Sequence, residues 1–348
     1  MAGNLSIFNF NAVPKGFFIC AVLVAMFESL LSLVPEYALT EPPYEQQALR
    51  LKGELVDRGN DFDLIMLGGC TGWAAMRPLI IEKELEVTAY NLSVNGAQTF
   101  LMSYVLLTRY LKNCIRKPDV VVVELSASSL LYSYGMNLVA LRDFILPWFR
   151  LDADFTNELS PSLRRECFKL QLLHLIPSFK YQYFLKKDLW FLKMWQASDD
   201  AFEWYGRFYR EEKGFYNEEL DPEKRRVETI RDIGRNYRDY ALSEHNLLYI
   251  AKIIAALSRA GVKVVVCTES VRDDEMQVWK RYNLRERLNA TIASLVRGYD
   301  NVVLFCDLRD AASNPGYFVD SAHLNSTGAE LYTRALAREI KQLDIFTD

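Results

Sequence analysis

Five short, continuously apolar segments alternate with stretches of helical character, and this alternation constrains the fold more than any other feature. The segments cover 62–67, 86–92, 119–125, 262–268 and 301–306. Strands that are apolar along their whole length are typical of parallel sheets with helices on both faces. The sequence therefore predicts an α/β fold, a flavodoxin-like three-layer α/β/α sandwich around a parallel five-stranded sheet.

An apolar run from Phe17 to Val34 precedes these segments, with Lys15 before it and acidic residues after it. Its roughly 18 residues are near the lower limit for crossing a bilayer, and a lysine on the N-terminal side favours an N-inside orientation. Glu28 opposes this interpretation because a carboxylate within a span is costly. We predict a membrane anchor or signal segment at 1–40, with the following domain extracytoplasmic, in the periplasm or at the cell surface. A buried amphipathic helix is the alternative.

Residues 136–235 interrupt the strand–helix alternation. Strand signals disappear there, and aromatic residues are interleaved with charged ones. We predict a helical insertion that separates the two parts of the α/β domain, 41–135 and 236–348. The aromatic rings would pack the insertion onto the core, or form a sugar-stacking platform, a partner surface or a face on the membrane interface.

Composition excludes some functions. The net charge of -4 provides no basic face for nucleic acid. The six cysteines form no CxxC pair and have no metal-ligand spacing. We therefore expect neither a nucleic-acid partner nor a metal or other cofactor.

A glycine-rich turn with a cysteine at its tip follows the first strand segment. The sequence Gly68-Gly-Cys-Thr-Gly72 fits a sharp strand-to-helix turn that projects the Cys70 side chain and exposes backbone N–H groups. Such groups can hold an oxyanion, and a helix N-terminus favours a thiolate. The spacing also fits the G-x-S-x-G elbow with cysteine in place of serine. The alternatives are a structural turn or a phosphate-binding loop.

His323 is the one histidine of three that lies in a loop beside a carboxylate, three residues after Asp320 and just before a helix. Asp320 could hold the imidazole through Nδ1 and leave Nε2 to act as a base. The carboxyl ends of parallel strands meet at one edge of the sheet. Cys70, Asp320 and His323 are therefore expected to converge there.

The early nucleophile and the D-x-x-H pattern before the last helix resemble the SGNH/GDSL hydrolase superfamily. Cys70 stands where that family has its nucleophilic serine, and Gly69 where it has an aspartate. The resemblance implies an oxyanion role for Gly96 with Asn95 beside it, and a substitute for the family's asparagine at Ser126 or Ser128. Thr71, next to Cys70, is a further candidate binding residue.

The resemblance implies acyl-ester hydrolysis or O-acyl transfer. The N-terminal anchor makes the chain similar to membrane-tethered SGNH-like proteins of exopolysaccharide acetylation and teichoic-acid D-alanylation. This implies a glycan or acyl-carrier substrate and a membrane-bound O-acyltransferase as partner. Because three family positions differ, a catalytically degenerate SGNH-like binding or scaffold protein is the alternative.

Overall fold

The computed structural model describes residues 15–33, 44–94, 100–131, 156–157, 159–173, 210–215, 242–320 and 322–346. Five parallel strands form one sheet in the order β2-β1-β3-β4-β5. This order is the flavodoxin-like one, and the predicted five-stranded parallel sheet is confirmed. The strands are β1 (Leu64–Leu67), β2 (Ala89–Asn91), β3 (Val120–Leu125), β4 (Lys263–Thr268) and β5 (Val302–Cys306).

The helices follow the strands along the chain as the alternation predicts. Their ends carry ordinary stop and start signals. Pro78 is the first residue of its helix, and Gly261 follows another helix with a φ of 71°. The helices are α1 (Lys15–Leu33), α2 (Tyr44–Asp57), α3 (Cys70–Ala75), α4 (Pro78–Leu85), α5 (Phe100–Asn113), α6 (Ala127–Leu131), α7 (Pro161–Leu173), α8 (Glu244–Arg259), α9 (Asp273–Tyr282), α10 (Leu284–Val296) and α11 (Ser326–Lys341).

Both faces of the sheet are covered, because alternate residues of each buried strand point to opposite sides. Ile65 and Leu67 pack with apolar residues of α2, α5 and α8. Leu64 and Met66 pack on the other face with residues of α4 and α11. All four side chains are fully buried. The resulting helix–sheet–helix arrangement explains why the strands are apolar at every position rather than at every second one.

The apolar run near the N-terminus forms helix α1. In the parts of the chain that the structure describes, no helix combines the length and the apolar character needed to cross a bilayer. The membrane anchor predicted within 1–40 is therefore not supported. Glu28, Ser29 and Ser32 interrupt the apolar run, and an ionisable residue within a span is unfavourable.

Only parts of the predicted insertion, 136–235, fall within the described residues. Of these, α7 is helical, and 210–215 packs against the edge strand β2. The Asn91 N–H donates to the Lys213 carbonyl at 3.0 Å, the Trp73 indole donates to the Gly214 carbonyl at 3.0 Å, and Phe215 is buried in the core. This segment covers one edge of the sheet and touches the helix that begins at Cys70.

The start of α11 depends on a close backbone approach at Gly328. A Cβ atom there would lie 2.4 Å from the Tyr317 carbonyl oxygen. If that oxygen moved aside, it would lose the hydrogen bond that it accepts from the Asn325 N–H at 2.8 Å. Gly328 therefore fixes the distance between α11 and the loop that precedes it.

We predict that Gly328→Ala lowers the free energy of unfolding by about 1–3 kcal/mol, the usual cost of overpacking. A urea titration followed by circular dichroism measures the change. Thr327→Ala, one residue earlier in the same turn and exposed, is the matched control and should change little. Equal midpoints for the two variants would contradict the steric argument.

Candidate active site

Cys70 lies at the end of β1, where Gly68 and Gly69 lead directly into α3. The chain turns sharply there, and Cys70 is the first residue of the helix. Its surface is only 4% exposed, and it is not part of a disulfide. A cysteine at the end of a central strand and at the start of a helix is placed as an acyl-transfer nucleophile would be.

Hydrogen bonds to one carboxylate fix the loop that carries His323. Oδ1 of Asp320 accepts the N–H groups of Ala322 and His323, each at 2.7 Å, and Oδ2 lies 2.7 Å from His323 Nδ1. The Val319 N–H donates to the His323 carbonyl at 2.9 Å. Asn325 then caps α11 by accepting the Gly328 N–H at 3.0 Å. These bonds orient the imidazole before any substrate arrives.

The imidazole of His323 interacts with the Cys70 side chain through charge and through side-chain hydrogen bonding. Its Nε2 atom is nevertheless buried without a well-aligned hydrogen-bond partner. Hydrogen bonds between catalytic groups often tighten only when substrate binds. The structure thus brings together the three residues that the sequence analysis predicted as a nucleophile, a base and an orienting carboxylate.

The electrostatics of His323 and Asp320 favour an ion pair. Burial alone would lower the pKa of His323, but the charge of Cys70 and the hydrogen bond with Asp320 outweigh it. The pKa therefore lies well above the ordinary 6.5. Burial alone would raise the pKa of Asp320, but the hydrogen bond and charge of His323 and the two backbone donors bring it below the ordinary 3.8.

A second carboxylate, Glu124, lies at the end of β3 beside the Cys70 turn. It is fully buried, and its Oε1 accepts the Thr71 hydroxyl at 2.8 Å. Burial raises its pKa to about 7, although Thr71, the N–H groups of Gly69 and Gly72 and the charge of His323 each lower it. The sequence analysis assigned Glu124 no role. Its one signal was a charged residue near the end of an otherwise apolar strand.

Of the predicted binding residues, the structure describes some and not others. Thr71 is buried and engaged with Glu124. Ser126 is fully buried, and its hydroxyl is hydrogen-bonded to that of Ser129, whose oxygen lies 2.7 Å from where a Cβ of Gly69 would be. Ser126 is therefore linked through Ser129 to the Gly69 side of the turn, and its binding role stays a prediction. Asn95 and Gly96 lie outside the described residues, so their oxyanion role stays a prediction.

Arg272, which the sequence analysis did not single out, supports the histidine loop from the side of β4. Its Nη1 atom donates to the Asp320 carbonyl at 3.3 Å, and its Nη2 lies 2.5 Å from Asp274 Oδ2. This guanidinium joins α9 to the loop that carries the imidazole. Among the residues that the structure describes, no group of His, Cys, Asp and Glu side chains could hold a metal ion.

We predict that Asp320→Asn lowers the free energy of unfolding by about 1.5–3 kcal/mol, the usual contribution of a hydrogen bond to a charged group. The lowered pKa of Asp320 adds stability above its ordinary 3.8. The raised pKa of His323 adds stability below 6.5 that is lost as pH rises through the folded-state value. The difference from wild type should therefore be largest between these two pH values.

Urea titrations across pH measure this difference. Asp310→Asn, which removes an exposed partner of Arg285, is the control and should have a small effect at every pH. A pH-independent difference for Asp320→Asn would contradict the ion pair.

No protein-family model matches the chain, and no curated protein matches it. The chain is similar to a crystal structure from Bacteroides fragilis of a protein named a "putative acylhydrolase". The TM-score is 0.39 and the sequence identity 12%, and the overlap covers 84% of this chain and 95% of that one. A TM-score and a sequence identity this low leave the activity to be inferred from the residues of the site.

Proposed function

We propose that the protein is an acyl-ester hydrolase or O-acyltransferase that uses Cys70 as nucleophile, His323 as proton carrier and Asp320 as the group that orients His323. The observation that carries this proposal is the 2.7 Å contact between Asp320 Oδ2 and His323 Nδ1. The same imidazole ring also interacts with the Cys70 side chain. Cys–His pairs with a third orienting group are competent for acyl transfer.

In the first step, the thiolate of Cys70 forms a bond to the acyl carbon while the bond from that carbon to the leaving oxygen or sulfur breaks. His323 gives its proton to the leaving group. Water or an acceptor hydroxyl then attacks the thioester and gives a proton to His323, and the Cys70 thiolate leaves. The N–H groups of Cys70 and Gly96 would hold the oxyanion. One such donor contributes about 3–4 kcal/mol to transition-state stabilisation.

The acceptor in this proposal is a hydroxyl of a cell-surface glycan, and the donor is an acyl carrier. Both rest on the resemblance to SGNH-like proteins of polysaccharide acylation, as do a membrane-bound O-acyltransferase partner and an extracytoplasmic location. The site residues alone support the coarser statement of acyl-ester chemistry.

A catalytically degenerate binding module is the second candidate, and two observations favour it. Cys70 is nearly inaccessible to solvent, and His323 Nε2 lacks an aligned partner. These features suit a site that retains its architecture without turning over substrate.

We predict that p-nitrophenyl acetate acetylates Cys70, and that intact-mass and peptide mass spectrometry detect the thioester. Because Cys20 is exposed on α1, a Cys20→Ser background removes labelling there. Cys70→Ala should abolish the adduct, and His323→Ala should slow its formation by at least about 10²-fold.

Cys114→Ala is the matched thiol control, since Cys114 is also buried but lies at the end of α5. In this variant, p-nitrophenyl acetate should acetylate Cys70 at the wild-type rate. If wild-type Cys70 acquires no acetyl group and His323→Ala behaves like wild type, the binding module is the better proposal.

A further inference from the structure

Glu124 is hydrogen-bonded to the turn that carries Cys70 at Thr71, and two backbone N–H groups of the turn lie near its carboxylate, although Oε2 has no partner of ordinary hydrogen-bond geometry. The Thr71 hydroxyl donates to Oε1 at 2.8 Å, and the N–H groups of Gly69 and Gly72 lie close enough to the carboxylate to lower its pKa by hydrogen bonding. Residues on both sides of Cys70 therefore face one buried carboxylate. Hydrogen bonds to an ionised acceptor are stronger than neutral ones, and more so at a buried position.

The glycines of the turn leave room for this carboxylate. A Cβ on Gly68 would lie 2.7 Å from Glu124 Oε2 and 3.1 Å from its Cβ, and a Cβ on Gly72 would lie 3.0 Å from Oε2. Glu124 occupies part of the space that side chains would fill at both positions, with Ser93 beside it and Met76 closest at Gly72. The two glycines and the acid therefore fit as one unit, with Cys70 and Thr71 between the glycines.

We propose that Glu124 is a positioning residue that fixes the turn from Gly69 to Gly72 and so holds the Cys70 thiol beside His323. It acts through the turn and need not touch a substrate. The proposal rests on the proposed function where it treats Cys70 as the nucleophile. The placement and reactivity of the Cys70 thiol can be tested without measuring acyl transfer.

Glu124 faces titratable groups from three further elements. His323, in the loop before α11, attracts its charge, whereas the ionised forms of the remaining groups repel it. Those groups are Cys267 on β4, Glu269 at the end of β4 and Tyr332 on α11. Burial raises the pKa of Glu124 to about 7 against the pull of Thr71, Gly69, Gly72 and His323. Protonation below that pH would replace an acceptor by a hydroxyl and weaken its hold on the turn.

The test is the rate at which iodoacetamide alkylates Cys70, measured by peptide mass spectrometry between about pH 5.5 and 8.5, a range that spans the Glu124 pKa, with Cys114 as internal reference. At pH 8, Glu124→Gln should slow alkylation of Cys70 by about tenfold, because it removes one charged acceptor. Wild type should show an additional fall in rate below about pH 7, and Glu124→Gln should lack it.

Thr71→Val removes the donor and should also slow alkylation. Its effect should not add to that of Glu124→Gln, because both variants break the same contact. Glu269→Gln is the matched control. Glu269 is another buried carboxylate at the same edge, but it accepts the Ala127 N–H at 2.7 Å. In Glu269→Gln, iodoacetamide should alkylate Cys70 at the wild-type rate at pH 8.

The proposal is overturned if Cys70 is alkylated at the wild-type rate in a folded Glu124→Gln variant. It is also overturned if Glu269→Gln slows the alkylation of Cys70 as much as Glu124→Gln does. If Glu124→Gln does not fold, Thr71→Val decides: a slower rate supports the proposal and an unchanged rate overturns it. Alkylation needs only a reactive thiol, so wild-type protein that alkylates but is not acetylated by p-nitrophenyl acetate refutes the acyl chemistry alone.

Discussion

The parallel pairing of β1 with β3 is the constraint on which the site depends. In this register Leu64 to Leu67 lie opposite Val120 to Val123, so the next residues along the two strands, Gly68 and Glu124, are neighbours. A glycine has no side chain, and the carboxylate takes the space. The turn after β1 then forms around a buried acid, and Cys70 begins α3 at a position that a central strand determines.

This arrangement has an energetic cost. A buried carboxyl whose pKa rises from 4.5 to about 7 lowers the stability of the folded state above that pH by roughly 3 kcal/mol relative to an unperturbed one. The sign follows because the unfolded chain releases its proton from pH 4.5 upward, whereas the folded chain holds it until about pH 7. A purely structural turn could use a neutral partner at that position. A charged acceptor under Cys70 is the kind of local cost that functional sites bear.

The sheet could be predicted from the sequence because its strands carry a local signal. The Val-rich run at Val120–Leu125 is apolar at every position up to Glu124, and only a strand covered on both faces needs that pattern. Asp320 and His323 could be predicted equally well, because they lie three positions apart in one loop. The place of Glu124 in the site could not be predicted, because its neighbour Gly68 is 56 positions away in the chain. Their contact depends on strand register, which local spacing does not encode. The predicted membrane anchor is not supported, for a related reason. A run of apolar residues indicates burial of some kind and does not say in what.

The protonation state of His323 bears on why a thiol suits this site. A serine nucleophile needs a neutral imidazole, because the imidazole must remove the hydroxyl proton during attack. The charge of Cys70 and the hydrogen bond of Asp320 to Nδ1 outweigh the cost of burial and favour the imidazolium form of His323. A thiol can give up its proton before substrate arrives, so an imidazolium beside it is the resting partner of a thiolate and the acid for the leaving group. Under the proposed function, the acids around His323 are therefore compatible with Cys70 as the nucleophile.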